Sequence, residues 1–400
     1  MKYLILVVDG AADYKIESLG NKTPLEVANL TNINSIAAVG EVGLVQTIPE
    51  GIAPGSDAAN LAIMGFDPRV YLTGRAPLEA ASMGIEMSDS DVAFRCNVVT
   101  LAGAGAYEEL EMVDHSAGDI STEEARELIR AIDAHFDKAK FYPGVSYRHC
   151  MIVDKGDDKT VLTPPHDILT KVIGEYLPAN KEIREMMKES YELLSAHSVN
   201  IARVEKGLNP ANSIWIWGQG KKPQLASFYE KYGVKGVTIS AVDLIKGIGV
   251  CAGLEAIDVV GATGTLHTNY VGKALAAIRA FEDGNDFVYL HVEGPDECSH
   301  QGDLDGKIKS LEEIDAKILK PILDYFLASG EDYRVLVLPD HETPVSMRTH
   351  ASGAVPYVLY DSTAKKETDN AKVFTEAEAT KSGRFFENGY QLADYFFAVK

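Results

Sequence analysis

Three apolar runs of β-forming residues each lead directly into an acidic segment. Tyr3 to Val8 ends on Asp9-Gly10, Phe287 to Val292 on Glu293-Gly294-Pro295-Asp296, and Arg334 to Leu338 on Pro339-Asp340-His341. Apolar runs without polar alternation are buried on both faces, the pattern of central strands in a parallel sheet. Open α/β sheets bind ligands outside the carboxyl ends of their strands. The chain is thereby directed to an α/β fold with its chemistry at one sheet edge.

The middle of the chain reads differently. Val92 to Leu101 alternates like an antiparallel strand, Ser121-Thr122-Glu123-Glu124 caps a helix, Ser146 to Asp154 is a strand, and Lys159 to Leu162 reads as an edge strand. This is the composition of a small α+β, ferredoxin-like module. The spacing predicts a catalytic domain over residues 1–90 and 181–400, interrupted by an insert over 91–180. Ser213 to Gly218 reads as the return of the α/β pattern after a long helix from about Asn180. The polar stretches at 84–91 and 178–180 read as hinges.

Charge narrows the partners. With 59 acidic against 38 basic residues the net charge is -21, which argues against nucleic acid and anionic membranes. An anionic substrate would need a local basic pocket. No apolar run approaches the roughly 20 residues of a membrane span. The first ten residues form a buried strand rather than a signal peptide. Cys96, Cys150, Cys251 and Cys298 lack metal or redox spacing, so reduced thiols and a cytoplasmic protein are expected.

The acidic segments also carry imidazoles, although the chain has only 10 His. Asp296 and His300 share a helix face if Pro295 opens a helix. Asp340 and His341 are adjacent, so both reach one site only where the strand has ended. His350 follows in a polar loop. Carboxylate with imidazole suits Zn, Mn or Fe better than Ca or Mg. Each residue alone reads more plainly: Asp9 as a turn residue, His350 as a solvated loop histidine. Together they read as a dinuclear metal site. Ser56, in Pro54-Gly55-Ser56-Asp57, would alone be an N-cap. Beside metal ligands and at a helix N-terminus it becomes a candidate nucleophile toward phosphate.

Asp9-Gly10, Pro54-Gly55-Ser56-Asp57, Asp296 to His300, Asp340-His341 and His350 resemble the metalloenzymes of the alkaline phosphatase superfamily. Within it, the chain is similar to the short, archaeal-type branch of cofactor-independent phosphoglycerate mutases. Asp114-His115-Ser116-Ala117-Gly118, Gly144 to His149 and Thr268 to Ala274 extend the similarity over nearly the whole length. The resemblance implies a mainly parallel sheet with helices on both faces and two divalent metal ions, usually Mn, with Zn or Co as alternatives. It implies that Asp9, Ser56, Asp340 and His341 hold one ion, and Asp296, His300 and His350 the other. Ser56 would take the phosphoryl group of a small phosphorylated acid and return it to the other hydroxyl of glycerate. Lys273 matches a lysine near the phosphate, and His115 and Arg148 match residues of the insert that hold substrate. Arg75, in a Gly-bounded loop, and His166 are further candidate contacts.

An insert has a use in a mutase, which must keep water from the phosphoserine while glycerate turns; a closing lid is expected. The rival readings keep the site. One is a homoserine kinase-like phosphotransferase, although GxxxxGK[ST] is absent. Another is a metal-dependent phosphatase or phosphonate hydrolase. A binding module with a structural metal fits less well, since structural sites are closed and Cys-rich. Oligomeric state stays open.

Overall fold

A computed structural model describes residues 1–364 and 372–398. It contains two compact units. One comprises Met1–Leu72 and Gln224–Lys400, the other Thr73–Pro223.

The first unit is built on an eight-stranded sheet. Its order is Phe385–Phe386, Glu41–Val45, Val355–Asp361, Tyr333–Leu338, Lys2–Val8, Phe287–Val292, Gly236–Ile239 and Glu255–Ile257. The strands from Tyr333–Leu338 to Glu255–Ile257 are all parallel, whereas Val355–Asp361 runs antiparallel to both neighbours. Leu4, Ile5, Leu6 and Val7 have no exposed surface, because helices cover both faces. On one face Leu4, Leu6 and Val8 join a core with Ala277, Phe281, Ile314 and Phe326, contributed by helices and helical turns within residues 270–329. On the other, the Tyr289 hydroxyl donates to Asn60 Oδ1 at 2.5 Å, tying the sheet to the Ser56–Ile63 helix.

Register matters most for the site. Val8 pairs with Val292, and Val7 with Leu338. The three acidic segments therefore leave the sheet at one level.

The second unit has a twelve-residue strand, Asp91–Ala102, at its centre. It lies between Ser213–Lys221 and Arg148–Asp154, and Lys140–Tyr142 follows beyond. All of these pairings are antiparallel. With helices Thr122–His135 and Lys181–Ser195 in the connections, this is the split β-α-β-β-α-β arrangement, extended by Glu111–Asp114. The motif explains why the unit runs past residue 180. Its last strand, Ser213–Lys221, pairs with its first, so that strand belongs here and not to the α/β sheet. The unit also begins earlier than 91, since the Ala76–Ser82 helix packs against the Asp91–Ala102 strand. Residues 159–162 are not a strand. The Asp157 carboxylate accepts the N–H groups of Lys159 and Thr160 at 2.9 and 3.2 Å, which curls the backbone into a turn.

Candidate metal centre

Asp9 N–H donates to Val292 O at 3.1 Å, and Gly10 N–H donates to Asp340 Oδ1 at 3.1 Å. Gly10 has a φ of +62°, and a Cβ there would lie 2.7 Å from both Asp296 Oδ1 and Thr343 Oγ1. Only glycine lets the three strand ends approach this closely. Past Val292 the Gly294–Gln301 helix begins with Pro295 in its first turn. Asp296 and His300 share a face, with Nε2 of His300 3.2 Å from Asp296 Oδ2.

His350 completes the first group. Its Nε2 lies 3.0 Å from His300 Nε2 and 3.5 Å from Asp296 Oδ1. The Nδ1 atoms of the two rings face carbonyls, Arg348 O at 3.0 Å and Pro54 O at 3.4 Å. Rings that donate through Nδ1 aim two Nε2 lone pairs at one another and at a carboxylate. Two neutral imidazoles so placed set lone pair against lone pair, which a cation or a proton on one ring would relieve, and a carbonyl behind each ring is the usual support of a metal-bound histidine.

Asp9, Asp340, His341 and Ser56 form the second group. His341 Nε2 is 3.1 Å from Ser56 Oγ, 3.4 Å from Asp340 Oδ2 and 3.6 Å from Asp9 Oδ1. Asp9 Oδ1 is buried without a hydrogen-bond partner among the described residues, a cost of burial that a cation removes. Ser56 is not an N-cap: Gly55 holds that position and Ser56 is the first helical residue. Its hydroxyl is thus available to the cluster, while backbone N–H groups of the first turn favour an anion.

Burial, with Asp340 and Asp296 close by, pushes the Asp9 carboxyl well above its ordinary range. Burial works in the same direction on Asp340, but His341 and His291 more than offset it and hold that carboxyl down. Asp296 is also held low, against burial, by contacts from His300 and His350. The Asp296 carboxylate raises His300 to about 9. The clustered oxygens and nitrogens fit a divalent transition ion: donor atoms of Asp296, His300 and His350, of Asp9, Asp296 and His341, and of Asp9, His291 and Asp340 lie within 4.8 Å of one another in each set.

Lys273 is fully buried. Its Nζ donates to Glu293 Oε2 and to His291 O, both at 2.9 Å, so its charge is taken up inside the protein. His115, Arg148 and Arg75 belong to the other unit. The His115 ring meets Tyr147 edge-on at 5.7 Å and His166 at 6.2 Å. The Arg148 guanidinium lies 5.2 Å from the Tyr147 ring centre, and His166 packs on Trp217. Arg75 is exposed at the start of the Ala76–Ser82 helix.

Four further residues hold the centre. Asn60 Nδ2 bridges Ser56 O and Asp340 Oδ2 at 2.8 and 2.9 Å; its place one helical turn after Ser56 is the signal for it. Thr343 joins the two groups, its hydroxyl 2.6 Å from Asp296 Oδ1 and 3.0 Å from His341 Nδ1. His291 and Glu293 stand behind Asp9. His291 lies inside an apolar strand, where a histidine reads as core.

The model of the 2,3-bisphosphoglycerate-independent phosphoglycerate mutases matches residues 37–200. A protein of that description from Methanosarcina barkeri is 50% identical over 387 residues, covering 95% of each chain. A probable one from Geobacter sulfurreducens is 47% identical over 98% of this chain and 99% of its own. Among solved structures, a cofactor-independent phosphoglycerate mutase from Thermoplasma acidophilum superposes with a TM-score of 0.70 at 26% identity over all of both chains. A Pyrococcus horikoshii protein does so with a TM-score of 0.81 at 28% identity, covering 99% of this chain and 97% of that one.

Proposed function

We propose that this chain, which belongs to the 2,3-bisphosphoglycerate-independent phosphoglycerate mutase family, interconverts 3-phosphoglycerate and 2-phosphoglycerate through a phosphoserine at Ser56. The observation that carries this reading is the 3.1 Å contact of Ser56 Oγ with His341 Nε2, at a helix N-terminus among carboxylates and imidazoles. The relatives' names favour this isomerase over the homoserine kinase, phosphatase and phosphonate hydrolase readings.

Asp9, Ser56, Asp340 and His341 would hold one divalent ion, and Asp296, His300 and His350 the second, with manganese the first choice and zinc or cobalt the alternatives. Such ions neutralise phosphoryl oxygens and ease loss of the serine proton. Ser56 Oγ attacks phosphorus; its O–P bond forms as the bond to the substrate's ester oxygen breaks. The departing glycerate oxygen takes up the proton that the serine gave. Glycerate turns, its other hydroxyl attacks the same phosphorus, and Oγ regains a proton. Little acid–base chemistry beyond positioning and charge stabilisation is required. His115, Arg148 and Arg75 are assigned to substrate. Lys273, implied by the resemblance to lie near the phosphate, is fully buried with its charge paired to Glu293. No helix among the described residues is long and apolar enough to cross a membrane, and Cys96, Cys150 and Cys298 are buried thiols, which suits the cytoplasm.

The test is metal-free protein reloaded with Mn²⁺ and given 3-phosphoglycerate without bisphosphoglycerate. Formation of 2-phosphoglycerate, with phosphate trapped on Ser56 in intact-mass spectra, is expected. Phosphohomoserine from homoserine and ATP in a parallel tube, without mutase activity in the first, overturns the reading.

A further inference from the structure

We propose that Tyr289 is a positioning residue for the phosphoryl step: it locks the side-chain amide of Asn60, and that amide fixes Ser56 against Asp340. This rests on the reading of Ser56 as the nucleophile given above.

The contacts run from the middle of the sheet to the start of a helix. Tyr289 lies in the Phe287–Val292 strand, paired with Ile5 on one side and Thr238 on the other. Asn60 is one turn into the Ser56–Ile63 helix. Tyr289, Asn60 and Asp340 have no exposed surface. Asn60 Nδ2 donates to Ser56 O at 2.8 Å and to Asp340 Oδ2 at 2.9 Å. Its Oδ1 accepts the Tyr289 hydroxyl at 2.5 Å. A main-chain carbonyl has no hydrogen to give, so the edge of the amide that faces Ser56 O is the NH₂ group, whatever the state of any nearby acid. The opposite orientation would set Oδ1 against Ser56 O and Asp340 Oδ2, oxygen against oxygen. Both amide hydrogens are thus used, and the amide oxygen is met by a phenol, which keeps its proton at neutral pH.

The amide joins two residues that approach from different elements. Asp340 Oδ1 is held by the N–H groups of Gly10 and His341, at 3.1 and 3.0 Å, so Asn60 fixes the remaining oxygen. Ser56 is the first residue of its helix, where no side chain caps the turn and the backbone has fewer internal bonds. A planar group with both hydrogens placed sets the distance between the two. His341, next to Asp340 in the chain, brings Nε2 to 3.1 Å from Ser56 Oγ, so a shift at that junction moves the nucleophile against its neighbours. Fully satisfied buried networks rigidify what they join, and misplacement by about 1 Å can cost about 100-fold in rate. Without the Tyr289 hydroxyl, Asn60 Oδ1 loses its donor and the amide is free to tilt or turn over.

The test uses the variants Y289F, N60A and Y289F/N60A. Rapid quench of the Mn²⁺-loaded protein followed by intact-mass spectrometry gives the rate at which Ser56 takes phosphate from 3-phosphoglycerate. Calorimetry of the metal-free protein gives Mn²⁺ binding. At saturating Mn²⁺, Y289F is expected to lower kcat and the rate of Ser56 phosphorylation about 10-fold or more, with KM for 3-phosphoglycerate near the parent value and two Mn²⁺ still bound. N60A is expected to fall at least as far, and the double variant no further than N60A, since Tyr289 acts through Asn60. Y289F that phosphorylates Ser56 at the parent rate overturns the inference. So does a double variant slower than N60A by the full Y289F factor, loss of an Mn²⁺ ion in Y289F, or a fall in rate that only follows the folded fraction seen by circular dichroism. Y289F removes a single oxygen atom and decides the matter alone if N60A does not fold. If the parent protein turns over without carrying phosphate on Ser56, the nucleophile reading fails and the inference with it, a result read before any variant is made.

Discussion

The hydroxyl of Thr343 lies 2.6 Å from Oδ1 of Asp296. Because Thr343 Oγ1 is also 3.0 Å from His341 Nδ1, one side chain braces a candidate ligand from each group. By donating to Asp296 it is left to accept from His341 Nδ1, which keeps Nε2 of that ring unprotonated and turned to Ser56. Thr343→Val is expected to weaken Mn²⁺ binding at both sites by about 10-fold or more, and Thr343→Ser to stay near the parent value. Titration calorimetry of the metal-free variants checks this; equal affinities for Val and Ser would contradict it.

Ser56→Ala removes the proposed nucleophile but leaves Asp9, Asp340 and His341, the other candidate ligands of its group. Turnover should be lost, and phosphate should no longer be trapped on the protein. Two Mn²⁺ should still bind, since Asp9, Asp340 and His341 are held by other contacts. Activity close to the parent level in this variant would show that phosphate is carried elsewhere.

Lys307 and Asp13 form a fully buried ion pair at 2.8 Å. Lys307 also donates to Thr343 O, and Val345 N–H donates to Asp13 Oδ2, each at 3.0 Å. The pair thus clamps three segments that lead from candidate ligands: Asp9 to Asp13, Asp296 to Lys307, and Asp340 to Val345. Lys307→Met strands a buried carboxylate and is expected to cost about 3–5 kcal/mol in urea unfolding. Adding Asp13→Asn should return part of that. A double variant no more stable than the single would remove the ion pair as the cause.

His149 is buried in the Thr73–Pro223 unit, where its Nδ1 accepts the Gly144 N–H at 3.0 Å. Burial lowers it from 6.5 to about 3, so the folded chain keeps it neutral. The unfolded chain protonates it below pH 6.5. Stability from this group is therefore complete above that pH and declines as pH falls toward 3, by about 1.4 kcal/mol per unit. His149→Asn, which keeps an acceptor near Nδ1, should flatten the acid limb of unfolding measured between pH 7 and 4. An unchanged limb would place the acid sensitivity in other groups.

Much of the clustering is legible in the sequence because acidic residues at strand ends leave a local mark. An apolar run stops, and Asp follows within a few residues, as at Asp9, Asp296 and Asp340. The i, i+4 pair of Asp296 and His300 and the Pro-Gly-Ser start of a helix are local as well. His291 left no such mark, since a histidine inside an apolar strand looks like core until its neighbours are known. Thr343 is one threonine in a loop. The end of the insert is not legible for a related reason: Ser213–Lys221 pairs with Asp91–Ala102 across more than a hundred intervening residues, and strand pairing is not written in either strand alone.

The sequence by itself determined which residues could be strands, where those strands stop, and which donors stand at the stops. Tertiary structure decided that Val8 pairs with Val292 and Val7 with Leu338. A shift of one residue would turn every side chain of a strand to the opposite face, so that register alone puts Asp9, Asp296 and Asp340 at one edge. It also decided what stands behind them, Thr343 between the two groups and His291 at Asp9, because hydrogen-bond partners of buried groups are chosen by packing in space and not by distance along the chain.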